Sequence, residues 1–319
     1  MELRILSLAE IETLEISGLI MEVGQLAGTI PKDATLEGVE EHFISCFGGT
    51  NDVVILAESE QGIDGFALLH FEQDKLVEMN PWFLGGTPVV SQRAPSEELA
   101  DRLVAKSVEY VDRQGLDRLE VMFPRDESAN SRSQLFERNG MKQYEELVHL
   151  RNKLSDLLMS QTVIPDGIHE RRLIDVDVEL LYECWYQAFL SGRDRSFLER
   201  PMEMQREYFD QTFERNDSFE SSASLALSMD ERVIGFALVR RTHGDNNGHL
   251  WEFGIHPEFR RRGLARFLMS AVRDRLEDQG FKTMSMNVDI SNEPAYRFYK
   301  ILGFEEAWGR VCHAWNRGE

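Results

Sequence analysis

The sequence predicts an α/β (α+β) fold built twice: two tandem domains, each a mixed, mostly antiparallel sheet flanked by helices. Three observations carry this expectation. The chain has 319 residues, enough for about two domains at roughly 150 residues each. It repeats itself in order: IDGFALLHF at 63–71 matches VIGFALVRR at 233–241, ADRLVAKSVEYVDRQGL at 100–116 matches ARFLMSAVRDRLEDQGF at 265–281, and LFERNGM at 135–141 resembles FYKILGF at 298–304. In both copies, strand patterns stand before and after an amphipathic helix, which implies a sheet of mixed direction.

Each copy contains a hairpin. VVILAESEQGIDGFALLHF reads as two short strands joined by a turn at Glu58–Asp64, and SLALSMDERVIGFALVRR repeats it. A further strand comes next, then a helix that stops at Gln114-Gly115 in one copy and Gln279-Gly280 in the other, glycine after the last turn being a usual stop signal. Strands RLEVMF at 118–123 and TMSMNV at 283–288 succeed it, and a shorter helix and a last strand complete each unit. The join is placed at 155–168, where Pro165 and Gly167 interrupt two periodic segments. The expected domains are therefore 1–154 and 165–319.

Composition narrows the function. Thirty-five Lys+Arg against 56 Asp+Glu give a net charge of −21, a surface that repels phosphate backbones and argues against nucleic acid or an anionic membrane as partner. Cys46, Cys184 and Cys312 lie far apart with no CxxC pair or Cys/His cluster, so neither a disulfide scaffold nor a metal site is expected. The acidic, charge-interrupted start MELRILSLAEIETLEISGLIMEV lacks the pattern of a signal peptide, and no stretch reaches the roughly 18 apolar residues of a membrane span. A cytoplasmic protein is expected.

The strongest chemical signal is LWEFGIHPEFRRRGLARFLMSAVRDRLEDQG at 250–280. An apolar strand runs into His256-Pro257, then Arg260, Arg261, Arg262, Gly263, Leu264, Ala265 and Arg266 open an amphipathic helix. Small residues at Gly263 and Ala265 let a ligand approach the backbone, and the unpaired N–H groups at the helix start favour an anion. Four arginines add positive charge. In chemical terms this is a cradle for a pyrophosphate.

With a second pattern downstream, the chain resembles the GNAT superfamily of acyl-CoA-dependent N-acyltransferases. The superfamily's V/I-x-P strand end and R/Q-x-x-G-x-G/A loop stand here as Ile255-His256-Pro257 and Arg260-x-x-Gly263-x-Ala265, and its N-x-x-A-x-x-x-Y-x-x-x-G-F pattern as Asn292, Ala295, Tyr299, Gly303 and Phe304. Ala265 replaces the commoner glycine. The tandem arrangement is similar to that of the mycothiol synthase family. The resemblance implies acetyl-CoA as co-substrate, attacked directly by a primary amine in a ternary complex. The acceptor it favours is a small metabolite; a protein N-terminus or lysine, and a non-catalytic acyl-CoA-binding module, are the alternatives.

The resemblance also assigns roles. Tyr299 takes the position of the general acid for the departing thiolate. Backbone N–H groups of Phe253, Gly254 and Ile255 polarise the carbonyl where two strands splay apart. Asn292 caps the short helix and meets the pantetheine arm. For the base the position eight before Pro257 favours His249, with Glu252 and a water-mediated path still open. Strand alternation puts Glu252 with Leu250 and Gly254, and His249 with Trp251 and Phe253, unless the bulge that the resemblance implies shifts them. The acceptor site is expected from 180–213, whose Tyr182, Trp185, Tyr186, Phe189, Phe197, Tyr208 and Phe209 read first as core, with 191–201 as a loop bordering the cleft.

The first copy fails the same test. Pro95, Ser96, Glu97 and Glu98 stand opposite Arg260, Arg261, Arg262 and Gly263, and Phe136 stands opposite Tyr299. Two carboxylates repel a pyrophosphate, and the phenol is missing. The first domain is expected to be degenerate and non-catalytic.

Overall fold

The computed structural model describes residues 2–11, 13–27, 30–47, 52–73, 76–79, 88–93, 97–159, 163–198, 202–242 and 246–318. In chain order the first elements are β1 (Glu2–Ser7), α1 (Thr13–Ala27), α2 (Leu36–Phe47), β2 (Val53–Ser59), β3 (Gly62–Gln73), β4 (Leu76–Met79), β5 (Val89–Val90), α3 (Glu97–Arg113), β6 (Arg118–Pro124), α4 (Ala129–Arg138) and β7 (Lys142–Lys153). Then come β8 (Ile168–Arg172), α5 (Val178–Leu190), α6 (Arg195–Leu198), α7 (Met202–Thr212), β9 (Leu225–Met229), β10 (Arg232–Thr242), β11 (Asn247–Ile255), α8 (Leu264–Asp278), β12 (Thr283–Asp289), α9 (Glu293–Ile301) and β13 (Glu305–Asn316).

Two compact units result: Met1–Tyr144 with Arg310–Glu319, and Glu145–Gly309. In the first the strands run β1-β2-β3-β4-β6-β13, with β5 added to β3; in the second they run β8-β9-β10-β11-β12-β7. The pairs β4·β6 and β11·β12 are parallel and the other pairs along each order are antiparallel. The repeat and the mixed, mostly antiparallel sheet are therefore as expected, each unit having one topology.

The domain limits differ from 1–154 and 165–319. The last strand of each repeat is exchanged: β7 pairs with β12 from Leu147↔Asp289 to Lys153↔Thr283, and β13 pairs with β6 from Arg310↔Pro124 to Asn316↔Arg118. A strand's own alternation says which face is buried but not which edge it joins, so the Pro165–Gly167 interruption marks a loop and not the boundary.

Alternation along the strands of the second unit builds two cores. Leu225, Leu227, Ala237, Val239 and Leu250 pack with Leu264, Leu268, Val272 and Leu276 of α8, and Tyr299 and Leu302 of the α9 region join them. The opposite face packs Ala226, Phe236 and Leu238 against Leu181, Trp185 and Ala188 of α5 and Phe209 of α7. Asp177 starts α5 by accepting from the backbone N–H groups of Glu179 at 2.9 Å and Leu180 at 3.2 Å, satisfying two of the donors a helix start leaves over. The first unit repeats the arrangement, with α3 on one face and α1 and α2 on the other.

Candidate active site

Two irregularities in β11 create the site. Leu238 pairs with Glu252 while Val239 pairs with Leu250, so Trp251 is an extra residue in the strand, a β-bulge that re-aims the side chains after it. Pairing of β11 with β12 runs from Asn247↔Thr283 to Leu250↔Met286 and stops. Beyond that point the two parallel strands diverge. His256 donates its N–H to Ile234 at 2.9 Å, and in an antiparallel ladder hydrogen-bonded residues alternate. The N–H of Gly254 thus points to β10, and those of Phe253 and Ile255 point into the gap that β12 leaves. Of the three amides expected to polarise a carbonyl, Gly254 is the exception. Its requirement is different: a Cβ there meets Phe236 Cζ at 2.5 Å and Ala188 Cβ at 3.1 Å.

The bulge also corrects the alternation. Leu250 and Phe253 pack toward α8, whereas Glu252 accepts from Trp185 Nε1 at 3.2 Å and Tyr208 Oη at 3.4 Å, on the side of α5 and α7. His249 Nδ1 lies 2.9 Å from Ser285 Oγ, and the strand neighbours of Ser285, Met284 and Met286, belong to the α8 core. Glu252 is thereby separated from Leu250 and shares a face with His249. Both are buried. Burial, with the nearby His149, pushes the His249 imidazole down to about 4, so it is neutral at physiological pH.

Past β11 the chain makes one turn of 3-10 helix and reaches Arg261 at φ 63° and Gly263 at φ 79° before α8 begins at Leu264. This path leaves the backbone N–H groups of Arg261, Arg262, Gly263, Leu264, Ala265 and Arg266 without a partner among the described residues; Phe267 is the first residue of the helix to donate, to Gly263 at 3.0 Å. A Cβ on Gly263 meets nothing within 4 Å, so the loop's front is open. Six consecutive free donors at the positive end of a helix fit a pyrophosphate.

The four arginines are not equivalent. Arg260 donates to the carbonyls of Ile255 at 3.0 Å, Ser191 at 3.3 Å and Ala188 at 2.7 Å, closing the end of α5 onto the end of β11. Three of its five N–H donors are thereby engaged, which gives Arg260 an architectural role. Arg262 reaches the Glu258 carbonyl at 3.1 Å and lies over the Phe259 ring. The side chains of Arg261 and Arg266 form no hydrogen bond or ion pair among the described residues and supply the free charge. Leu264 contributes its amide only, its side chain being buried in the α8 core.

Tyr299 is buried beside Phe253, Phe298 and Phe304, and its hydroxyl has no hydrogen-bond partner among the described residues. Burial first, and then the negative charge of Glu252, raise its pKa well above the ordinary phenol range. Tyr299 and Glu252 are thus within electrostatic reach of each other. Asn292 occupies the N-cap position of α9, but its side chain makes no capping bond. The capping expectation is corrected, and the amide is left available.

Trp185, Phe197 and Phe209 are buried core aromatics, but Trp185 and Tyr208 also hold Glu252. That role was not readable from helical spacing; the need of a buried indole N–H for an acceptor was the available signal. Within 191–201, residues 195–198 form α6 with Phe197 buried, and 199–201 lie outside the described residues.

In the first unit Pro95 and Ser96 lie outside the described residues. Leu99 and Leu103 of α3 match Leu264 and Leu268 of α8 in burial, which sets Glu98 opposite Gly263. Glu97 and Glu98 are wound into the first turn of α3, and Glu97 pairs with Arg138 at 2.8 Å. Phe136, opposite Tyr299, is fully buried and stacks on Phe123 with centroids 5.5 Å apart.

Residues 179–304 match the acetyltransferase (GNAT) family, a stretch that lies within the second unit. It is 29% identical over 166 residues to a mycothiol acetyltransferase of Thermomonospora curvata, covering 52% of this chain and 53% of that one. It is 36% identical over 84 residues to a [ribosomal protein bS18]-alanine N-acetyltransferase of Salmonella typhimurium, covering 26% of this chain and 55% of that one. The chain spans about half the length of the curated relatives it matches. The fold matches a tandem GNAT protein from the clavulanic acid biosynthesis pathway, with a TM-score of 0.59 at 13% identity over 100% of this chain and 99% of that chain.

Proposed function

We propose that the protein is an N-acetyltransferase that moves the acetyl group of acetyl-CoA to the primary amine of a small molecule, with the second unit catalytic and the first unit a non-catalytic support. The observation that carries this reading is the run of six unpartnered amides from Arg261 to Arg266 beside the open gap between β11 and β12. These amides, with Arg261 and Arg266, hold the pyrophosphate, and Asn292 meets the pantetheine arm. When bound, acetyl-CoA supplies the thioester.

The residues of the chain then meet three needs. The N–H groups of Phe253 and Ile255, turned into the gap, stabilise negative charge on the carbonyl oxygen. Glu252 takes the proton of the attacking amine: it is fixed by Trp185 and Tyr208 and is the carboxylate whose charge acts on Tyr299. Tyr299, held in its protonated form by burial, gives its proton to the departing sulfur. The C–N bond forms as the C–S bond breaks, one proton going to Glu252 and one leaving Tyr299. His249, neutral and tied to Ser285, lines the same face and positions the acceptor.

Steady release of CoA thiol from acetyl-CoA with a panel of small primary amines tests the reading. Turnover that depends on Tyr299 supports it. Acetyl-CoA binding without turnover of any amine, peptide N-terminus included, converts the reading to that of an acyl-CoA-binding module. The match to a relative named for a ribosomal-protein alanine favours a peptide N-terminus as the second acceptor reading.

A further inference from the structure

Resting on that reading, the acceptor's chemistry is set by the residue that the β11 bulge turns outward. Trp251 is 50% exposed, and it is the chain neighbour of Glu252. One face of its ring is already covered: Arg240 Cζ lies 5.4 Å from the centroid. That guanidinium is fixed, donating to Asn216 Oδ1, Ser218 Oγ and the Thr212 carbonyl, each at 2.7 Å. Trp251 is therefore braced by Arg240 while half of its surface stays exposed.

The rings around the plane, among the described residues, are themselves aromatic. The His249 ring meets Trp251 edge-on with centroids 5.7 Å apart, and behind it stand His149 at 5.6 Å and, stacked on His149 at 4.7 Å, Trp308. Burial holds both imidazoles below the ordinary histidine range, so the row is neutral and aromatic near pH 7. A second cation on Trp251 is repelled by Arg240, whose attraction to the ring is already satisfied. Linear polyamines are disfavoured on that ground. A flat uncharged ring loses nothing by stacking there.

We infer that Trp251 selects the acceptor, which is a primary amine carrying a flat, uncharged ring a few bonds from its nitrogen: the ring stacks on the exposed part of Trp251 while the amine reaches Glu252.

The test uses the full chain with 2-phenylethylamine, n-hexylamine and spermidine, read by CoA thiol release, with acetyl-CoA binding measured separately. The expected wild-type KM for 2-phenylethylamine is about 10-fold below that for n-hexylamine, the size of one ring-stacking contact, and spermidine is the poorest of the three. Trp251→Leu raises the KM for 2-phenylethylamine about 10-fold and changes kcat, the KM for n-hexylamine and the KM for acetyl-CoA less than about 2-fold; Trp251→Phe recovers most of the loss. Equal wild-type KM values for the ring and linear amines overturn the inference without any variant, as does a Leu variant that shifts both amines alike. If acetyl-CoA binds and only peptide N-termini are acetylated, the inference falls and the transferase reading stands. If acetyl-CoA does not bind, both fall.

Discussion

Arg260 holds the carbonyl of Ala188 at 2.7 Å, and with it those of Ser191 and Ile255. The first arginine of the loop thus fastens the end of α5 to the end of β11. Arg260→Ala is expected to destabilise the second unit by about 2 kcal/mol, the scale of hydrogen bonds from a charged donor, and to lower its Tm by about 4–8 °C. Arg261→Ala and Arg266→Ala are expected to leave Tm unchanged and to weaken acetyl-CoA binding. Thermal melts and calorimetric titration of the three variants separate the two roles.

Tyr299→Phe removes a hydroxyl that bonds to nothing among the described residues and restores what the first unit has at Phe136. Stability is expected to be unchanged and kcat to fall about 10²–10⁴-fold, the range for a lost general acid. Because the phenol's pKa is raised, its protonated form persists to higher pH. The wild-type rate profile should therefore show no falling limb from Tyr299 up to about pH 10, the ordinary tyrosine value.

Glu252 and His249 share a face but not a role. Glu252→Gln keeps the acceptor for Trp185 and Tyr208 while removing the charge, and kcat is expected to fall about 10²–10⁴-fold. His249, held down to about 4 by burial, is a weak base at pH 7, and His249→Gln is expected to cost less than about 10-fold in kcat. Single-turnover rates at saturating acetyl-CoA decide it; the reverse ranking contradicts the assignment.

The first unit carries its own acid sensitivity. His313 is 0% exposed, neither ring nitrogen has a hydrogen-bond partner among the described residues, and it stacks on Phe123 and tilts against Phe136. By register it stands opposite Val121, as Leu150 of the second unit stands opposite Met286. Burial pushes its pKa down to about 4, below the roughly 6.5 of an unfolded histidine. The unfolded chain takes the proton first, so stability falls as pH drops from about 6.5 toward 4 and is independent of this group above that window. His313→Leu is expected to remove the loss, adding about 2 kcal/mol at pH 5 beyond its effect at pH 7.5, read by urea unfolding at both values.

The repeat, the hairpins, the helix starts and the order Ile255 to Arg266 were legible because periodicity, turn residues and glycine act locally. The exchange of β7 and β13 was not, since a strand's partner is chosen by distant chain. Residue identity pointed to Gly263, Tyr299 and Asn292, but it could not say that Arg260 is tied to three carbonyls or that the Asn292 amide caps nothing. The bulge at Trp251 was equally invisible in the alternating pattern. By displacing one residue it put Glu252 beside His249 and turned an indole to solvent.

The second unit, and not the first, is expected to bind acetyl-CoA, at the loop ending in Gly263. The most direct measurement is calorimetric titration of acetyl-CoA into the wild type, Gly263→Glu and Gly263→Asn. Glutamate places there the carboxylate that the first unit has at Glu98, whereas asparagine tolerates the left-handed backbone at φ 79° without adding charge. The predicted result is one equivalent bound by the wild type, weaker but measurable binding by Gly263→Asn, and none by Gly263→Glu. Undiminished binding by Gly263→Glu, or two equivalents bound by the wild type, contradicts it.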